Sequence, residues 1–403
     1  MSTRWHGVSF LLWLAVVTAC SNAGRNEGAV ANTRDSAGIA IVENQRSAWS
    51  RERAWRLSAE PVLSIGMREG PEEYQLFRVY GSVRLSDGRI VVANAGTGQL
   101  RFFDSDGRYL RSAGQQGSGP GEFRALRYVF RIAGDSLLAW DSGSRRASIF
   151  DAQGVFRRSY SPAPFADSPF FVSIVAPLTD GTMIAGAFRF RSAQDAVELG
   201  LSRDTLVLVH LDAGGELIAT AGQYPGTEWY TTGEYPRVDV PFARGTFVEA
   251  SGTGFYLGDD ATYQISYHRP DGSVERIIRK AHDLIDVTPE AVQEQKRQWI
   301  EGIPLDRRQG VAQMFEDVEG PPTMPAFSEI KVDADGNLWV RDYQLPGDVP
   351  PDWTVFRADG SMLGTVAMPD RLVVHQIGSD YVLGRWRDEE DVEYVRLYQL
   401  HKP

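Results

Sequence analysis

Val83-Arg84-Leu85-Ser86-Asp87-Gly88-Arg89-Ile90-Val91-Val92-Ala93-Asn94 is a pair of apolar-rich runs hinged on Asp-Gly. Gly88 supplies the positive φ that a tight turn demands, so the stretch reads as a β-hairpin. A second hairpin follows at once: Gln99 to Asp104, the turn Ser105-Asp106-Gly107, then Arg108 to Ala113. The next segment repeats both. Tyr128 to Ile132 turns at Gly134 into Ser136 to Asp141, and Arg146 to Asp151 turns through Ala152-Gln153-Gly154 into Val155 to Tyr160. Asn94 and Asp141, Asp104 and Asp151, and Gly107 and Gly154 are each 47 residues apart. Four short strands recurring at a period in the forties mark a propeller blade. A β-sandwich or two stacked barrels leaves those matching offsets unexplained.

Looser units continue outward. The third runs Ser173 to Ala187 and Thr205 to Ala221, turning at Gly181 and Gly215. The fourth is Phe247 to Asp260 and Gln264 to Lys280, turning at Gly272; the fifth is Ser328 to Asp342 and Trp353 to Met368, turning at Gly336 and Gly360. The sixth has only Leu372 to Ile377, Tyr381 to Asp388 and Val392 to Leu400, one strand short. An unpartnered apolar strand, Ile39 to Glu43, lies ahead of the first unit. An open ring leaves bare sheet edges, so this strand is expected to pair with Val392 to Leu400 and close blade 6. The expected fold is all-β: a six-bladed β-propeller over residues 38–403.

Between the fourth and fifth units, residues 285–320 have a helical texture. Thr288 before Pro289 and Glu290 is a capping start, with Val292, Trp299 and Ile300 on one face. A second short helix is expected from Asp306, with Val311, Met314, Phe315 and Val318 at helical spacing. Such an insertion is a cap over one edge of the disc, or a lid or partner-binding feature over its pore.

The N-terminus reads as an export signal. Arg4 precedes an apolar run, Val8 to Val17, of roughly ten residues, too short to span a bilayer core of about 30 Å. Residues 1–19 are then a signal peptide, and residues 20–37, rich in Ser, Asn, Gly and Ala, a flexible tether. Cys20 is the only cysteine, which rules out an internal disulfide, a Cys-based zinc site or a catalytic thiol in the body. The 42 basic and 53 acidic residues give a net charge of -11, which argues against a nucleic-acid partner.

Val17-Thr18-Ala19-Cys20 resembles the lipobox of bacterial lipoproteins. That resemblance implies cleavage before Cys20, acylation of its sulfur and amino group, and, with Ser21 following, an outer-membrane destination. The segment Phe103-Asp104-Ser105-Asp106-Gly107, followed by Gly114-Gln115-Gln116-Gly117-Ser118-Gly119-Pro120-Gly121-Glu122-Phe123, resembles the NHL-repeat propellers of the TolB-like superfamily, six-bladed bacterial lipoproteins among them. The likeness is specific over residues 79–160 and fades to hairpin rhythm beyond.

No His-Glu-x-x-His, Gly-x-Ser-x-Gly or phosphate-loop motif is present. His210 and His268 fall on third strands, where packing is the usual fate. The second strands end in polar residues: Asn94, Asp141, Asp259, Asp260, Arg341, Asp342, Arg385 and Arg387. In the blade reading these gather at one mouth of the central channel. Lactonase-type propellers hold a metal there, which brings calcium or another divalent ion into consideration; equally, such residues cap strand ends. Trp229, Tyr230 and Tyr235 offer a contact surface or cover a core edge. Two functions stay open. One is a monomeric, lipid-anchored, non-enzymatic binding or scaffold module for an envelope protein, peptide or glycan. The other is a metal-dependent lactonase, hydrolase or lyase working at the channel mouth.

Overall fold

In the computed structural model, described for residues 31–403 apart from 51, 164–169, 190–198, 236 and 345–351, six sheets form a ring. The innermost strands are Val79–Arg84, Leu126–Arg131, Phe170–Pro177, Thr246–Ser251, Phe327–Val332 and Val373–Ile377. Each leads outward through hairpins, in chain order, to the rim. The 47-residue repeat is visible as two blades of matching register, Asn94 lying opposite Val79 and Asp141 opposite Leu126.

Packing closes the circle. Each of six apolar clusters is shared by two consecutive blades: Val91, Phe102 and Phe123 between blades 1 and 2, for example, and Ile65, Phe103 and Leu383 between blades 6 and 1. A period-2 strand sends alternate side chains to its two faces. Each blade therefore buries both faces against its neighbours. Full burial of one such side chain stabilises by roughly 1.5–3 kcal/mol.

The N-terminal strands depart from expectation. Blade 6 is completed by Leu63–Ile65, with Leu63 opposite Leu397 and Ile65 opposite Val395, while Arg56–Leu57 pairs with the same strand further along, at Leu400 and His401. Ile39–Asn44 pairs instead with Val274–Lys280, in parallel, on the outer edge of blade 4. The physical reason is reach. Leu63–Ile65 leads almost directly into Val79, whereas Ile41 and Val42 bury their side chains beside Ile278. Gly66 leaves the closing strand at φ 134°, and a Cβ there would stand 2.7 Å from the Glu393 carbonyl oxygen. Residues 31–36, expected as tether, form another strand of the blade 4 sheet, paired with 39–44. Residues 1–30, with Cys20, the signal and the remaining tether, lie outside the described residues.

The insertion is helical as expected. Thr288 caps Pro289–Glu301, its Oγ1 accepting from the Ala291 N–H at 3.2 Å, and Arg308–Met314 follows. Trp299, Phe315 and Val318 pack on Tyr230, Tyr235, Val238 and Val240, so both tyrosines serve as core-edge cover. Among the described residues no helix is long and apolar enough to cross a membrane.

Candidate functional site: the central channel

The six inner strands enclose a channel with a cavity of about 640 Å³. Its polar lining includes Tyr80, Ser82, Tyr128, Glu249, Glu329, Lys331, His375 and Arg385. Glu329 and Lys331 are two apart on one strand and so share a face. The Lys331 Nζ lies 3.7 Å from Glu329 Oε1 and 3.8 Å from Glu249 Oε2 on the neighbouring blade. Arg341, opposite Glu329 in register, extends the chain at 4.0 Å. These contacts are longer than hydrogen bonds, and the three central side chains keep about a quarter of their surface open.

Protein on all sides still weakens solvation in the channel. Burial pushes the Glu249 and Glu329 carboxyls up, against the pull of Lys331. Burial disfavours the Lys331 ammonium as well, but the two carboxylates outweigh it and its pKa ends above the ordinary value.

Ser82 Oγ and His375 Nδ1 are 2.9 Å apart, a hydroxyl–imidazole pair inside the channel. Its electrostatics oppose nucleophilic catalysis. Burial, then Lys331 and Arg385, push the imidazole down to about 3. A general base works best with a pKa near the working pH, and a triad histidine is steadied by a carboxylate. Here the charges acting on the ring are cations.

The residues expected at the mouth do lie at one end of the ring, opposite the starts of inner strands. Most are wired into loops. Asn94 Oδ1 accepts from Phe77 N at 2.7 Å, and Asp141 accepts from Arg124, Ala125 and Gly143 N–H groups. Asp260, buried and pushed up to about 8 by burial, accepts from Gly245 N at 2.8 Å. Asp259 pairs with Arg203 at 2.8 Å, and Asp342 binds Lys280 at 2.7 Å and the Tyr263 hydroxyl at 2.6 Å. Arg385 and Arg387 both reach Glu393, whose other oxygen accepts from Val79 N at 2.7 Å, fastening blade 6 to blade 1. Of the eight, Arg385 lines the channel and Arg341 reaches it through Glu329.

Sequence reading passed over Glu249, Glu329, Lys331, Ser82 and His375. The available signal was ionisable residues inside strands assigned to the innermost position, where apolar packing is the default. As for metal, no three His, Cys, Asp or Glu side chains among the described residues stand close enough together to hold an ion.

The fold defines a six-bladed β-propeller. A family model described as a 6-bladed beta-propeller matches residues 70–159, which span the first two blades. No curated protein matches the sequence. Among solved structures, a Bacteroides fragilis protein described as exported is 13% identical with a TM-score of 0.51, covering 90% of this chain and 99% of its own. A duf4221 family member from Bacteroides vulgatus is 12% identical at TM-score 0.42, covering 88% and 100%. The virginiamycin B lyase of Staphylococcus aureus is 7% identical at TM-score 0.40, covering 85% and 99%. At such identities the likeness is one of fold alone.

Proposed function

We propose that the protein is an exported binding module, lipid-anchored through Cys20 to the outer membrane, that recognises a polar envelope ligand in its central channel. The observation that carries this reading is the Glu249–Lys331–Glu329 cluster: a cation between two anions, loosely spaced and open to the lumen. Both signs of charge on one wall match a peptide chain end or a zwitterionic group better than a neutral glycan. The hydrolase alternative lacks comparable support. The hydroxyl–imidazole pair has an imidazole too weakly basic to take the Ser82 proton, and no cluster of three His, Cys, Asp or Glu lies among the described residues.

The test pairs binding with turnover. Titration calorimetry with trialanine should give binding heat in the wild type that is lost in Lys331→Met, with cellobiose silent in both. A panel of esters and lactones, with and without added calcium, should be hydrolysed no faster by the wild type than by Ser82→Ala or His375→Ala. Hydrolysis that depends on either residue overturns the binding assignment.

A further inference from the structure

Between Asn44 and Arg56 the chain crosses the rim of blade 5, and this crossing carries two tryptophans. Trp49 lies against the outer strand Met362–Ala367, where a Cβ at Gly364 would collide with its indole. The Trp55 ring centroid is 5.1 Å from that of Trp49 and 5.9 Å from that of buried Trp339. Both crossing tryptophans stay partly exposed. They cover the apolar cluster shared by blades 5 and 6, and they also line a cleft of about 590 Å³. Core cover accounts for their rings but not for their polar ends. Among the described residues neither indole N–H has a hydrogen-bond partner.

The charges of the cleft are similarly open. Arg53 has no side-chain hydrogen bond or ion pair among the described residues, and Arg357 Nη1 has only the Ser361 hydroxyl, at 3.4 Å. Asp359 lines the cleft too, its Oδ1 already accepting from Ser361 N at 2.8 Å and Ser361 Oγ at 2.6 Å. Lys402, 4.3 Å from the centre of the Trp55 ring, is answered by Asp335 at 2.5 Å. Pro403 lines one side without an ion pair to either guanidinium among the described residues. Two guanidiniums outside any ion pair therefore face one carboxylate side chain, beside two free N–H donors on an apolar wall.

Such a donor surplus suits a ligand rich in acceptor oxygens and negatively charged, and guanidinium forks match a carboxylate. The indole wall suits an apolar face. A sugar acid joins all three: the C–H surface of a pyranose ring, its hydroxyl oxygens and a carboxylate. A flat aromatic acid covers indoles equally well but brings two oxygens to four donor groups. A neutral sugar leaves both guanidiniums without a counter-charge. We propose that the cleft between the crossing segment and blade 5 binds an acidic oligosaccharide of the uronate type. The site is separate from the channel, and neither assignment depends on the other.

Titration calorimetry at low salt tests this with trigalacturonate, its fully methyl-esterified form and uridine monophosphate. The wild type should bind trigalacturonate, and the ester, with the same rings but no charge, should bind about tenfold or more weakly. Arg53→Gln and Arg357→Gln should each weaken trigalacturonate binding by about tenfold or more, since each removes a charge-assisted hydrogen bond. Both arginines are exposed, so the urea unfolding midpoints of these variants should match the wild type, which separates lost binding from lost fold. Lys331→Met, in the channel, should bind trigalacturonate as the wild type does. The proposal is overturned if the wild type does not bind trigalacturonate, if neither arginine substitution weakens it, or if the ester or uridine monophosphate binds as tightly.

Discussion

Two short strands from the same N-terminal segment have opposite consequences. Leu63–Ile65 sits inside the ring's continuity: it joins the last sheet just before the first begins, and Ile65 is buried in the cluster that blades 6 and 1 share. Ile39–Asn44 lies on the rim of blade 4, outside a sheet that already has four strands. Between them the chain crosses blade 5, where Trp49 N donates to Leu363 O at 2.8 Å and Ser47 Oγ donates to the same carbonyl at 2.7 Å. One strand closes the fold and the other straps it. Position relative to the first blade decides which is which, since the closing strand must lead straight into blade 1.

The largest effect should come from the closing strand. Ile65→Ala leaves a void among Leu76, Val79, Phe103 and Leu383 and weakens the seam through which the ring would open. Large-to-small changes of this kind cost about 2–5 kcal/mol, and urea unfolding monitored by tryptophan fluorescence should show a loss in that range. Ile41→Ala, on the strap, should lose less. An equal loss would mean that the strap, too, holds the ring together.

That contrast also marks how far the sequence could be read. The blades were legible because Asp-Gly turns and the 47-residue offset are local signals. The need for an N-terminal closing strand was legible because an open edge is costly. The choice of strand was not. Leu63-Ser64-Ile65 is three residues long and has no alternation to advertise it, whereas Ile39 to Glu43 looks like a better strand. The channel hid for a related reason. Glu249, Lys331 and His375 come from three blades and meet only after closure, while the conspicuous aspartates at strand ends are spent on backbone N–H groups, as at Asp141 and Asp260, or on neighbouring side chains, as at Asp259 and Asp342.

A middle effect is expected at Asn44, the strap's one buried polar anchor. Its Oδ1 accepts from Met362 N at 2.8 Å, and its Nδ2 donates to Gly360 O at 3.0 Å and Arg279 O at 3.2 Å. It therefore stitches blade 4 to the outer turn of blade 5. Asn44→Ala strands the Met362 N–H away from water, which costs about 1–3 kcal/mol. Hydrogen exchange should localise the damage, with Met362 and Leu363 losing protection before the blade 6 amides of Val395 and Leu397. Simultaneous loss in both regions would erase the distinction between strap and closure.

The smallest effect belongs to the strap's charges. Glu43 is 3.3 Å from Arg279 and 4.0 Å from Arg34, all three side chains substantially exposed. Exposed pairs of this kind give roughly 0–1 kcal/mol, because water screens the attraction and holding two long side chains costs entropy. Glu43→Gln should therefore shift the unfolding midpoint little, and the difference should vanish as salt approaches about 1 M, where the Debye length is near 3 Å. A shift that survives such salt would place the pair in a less solvated setting and make charge, beside Asn44 and the buried Ile41 and Val42, a real part of what holds the strap to the rim.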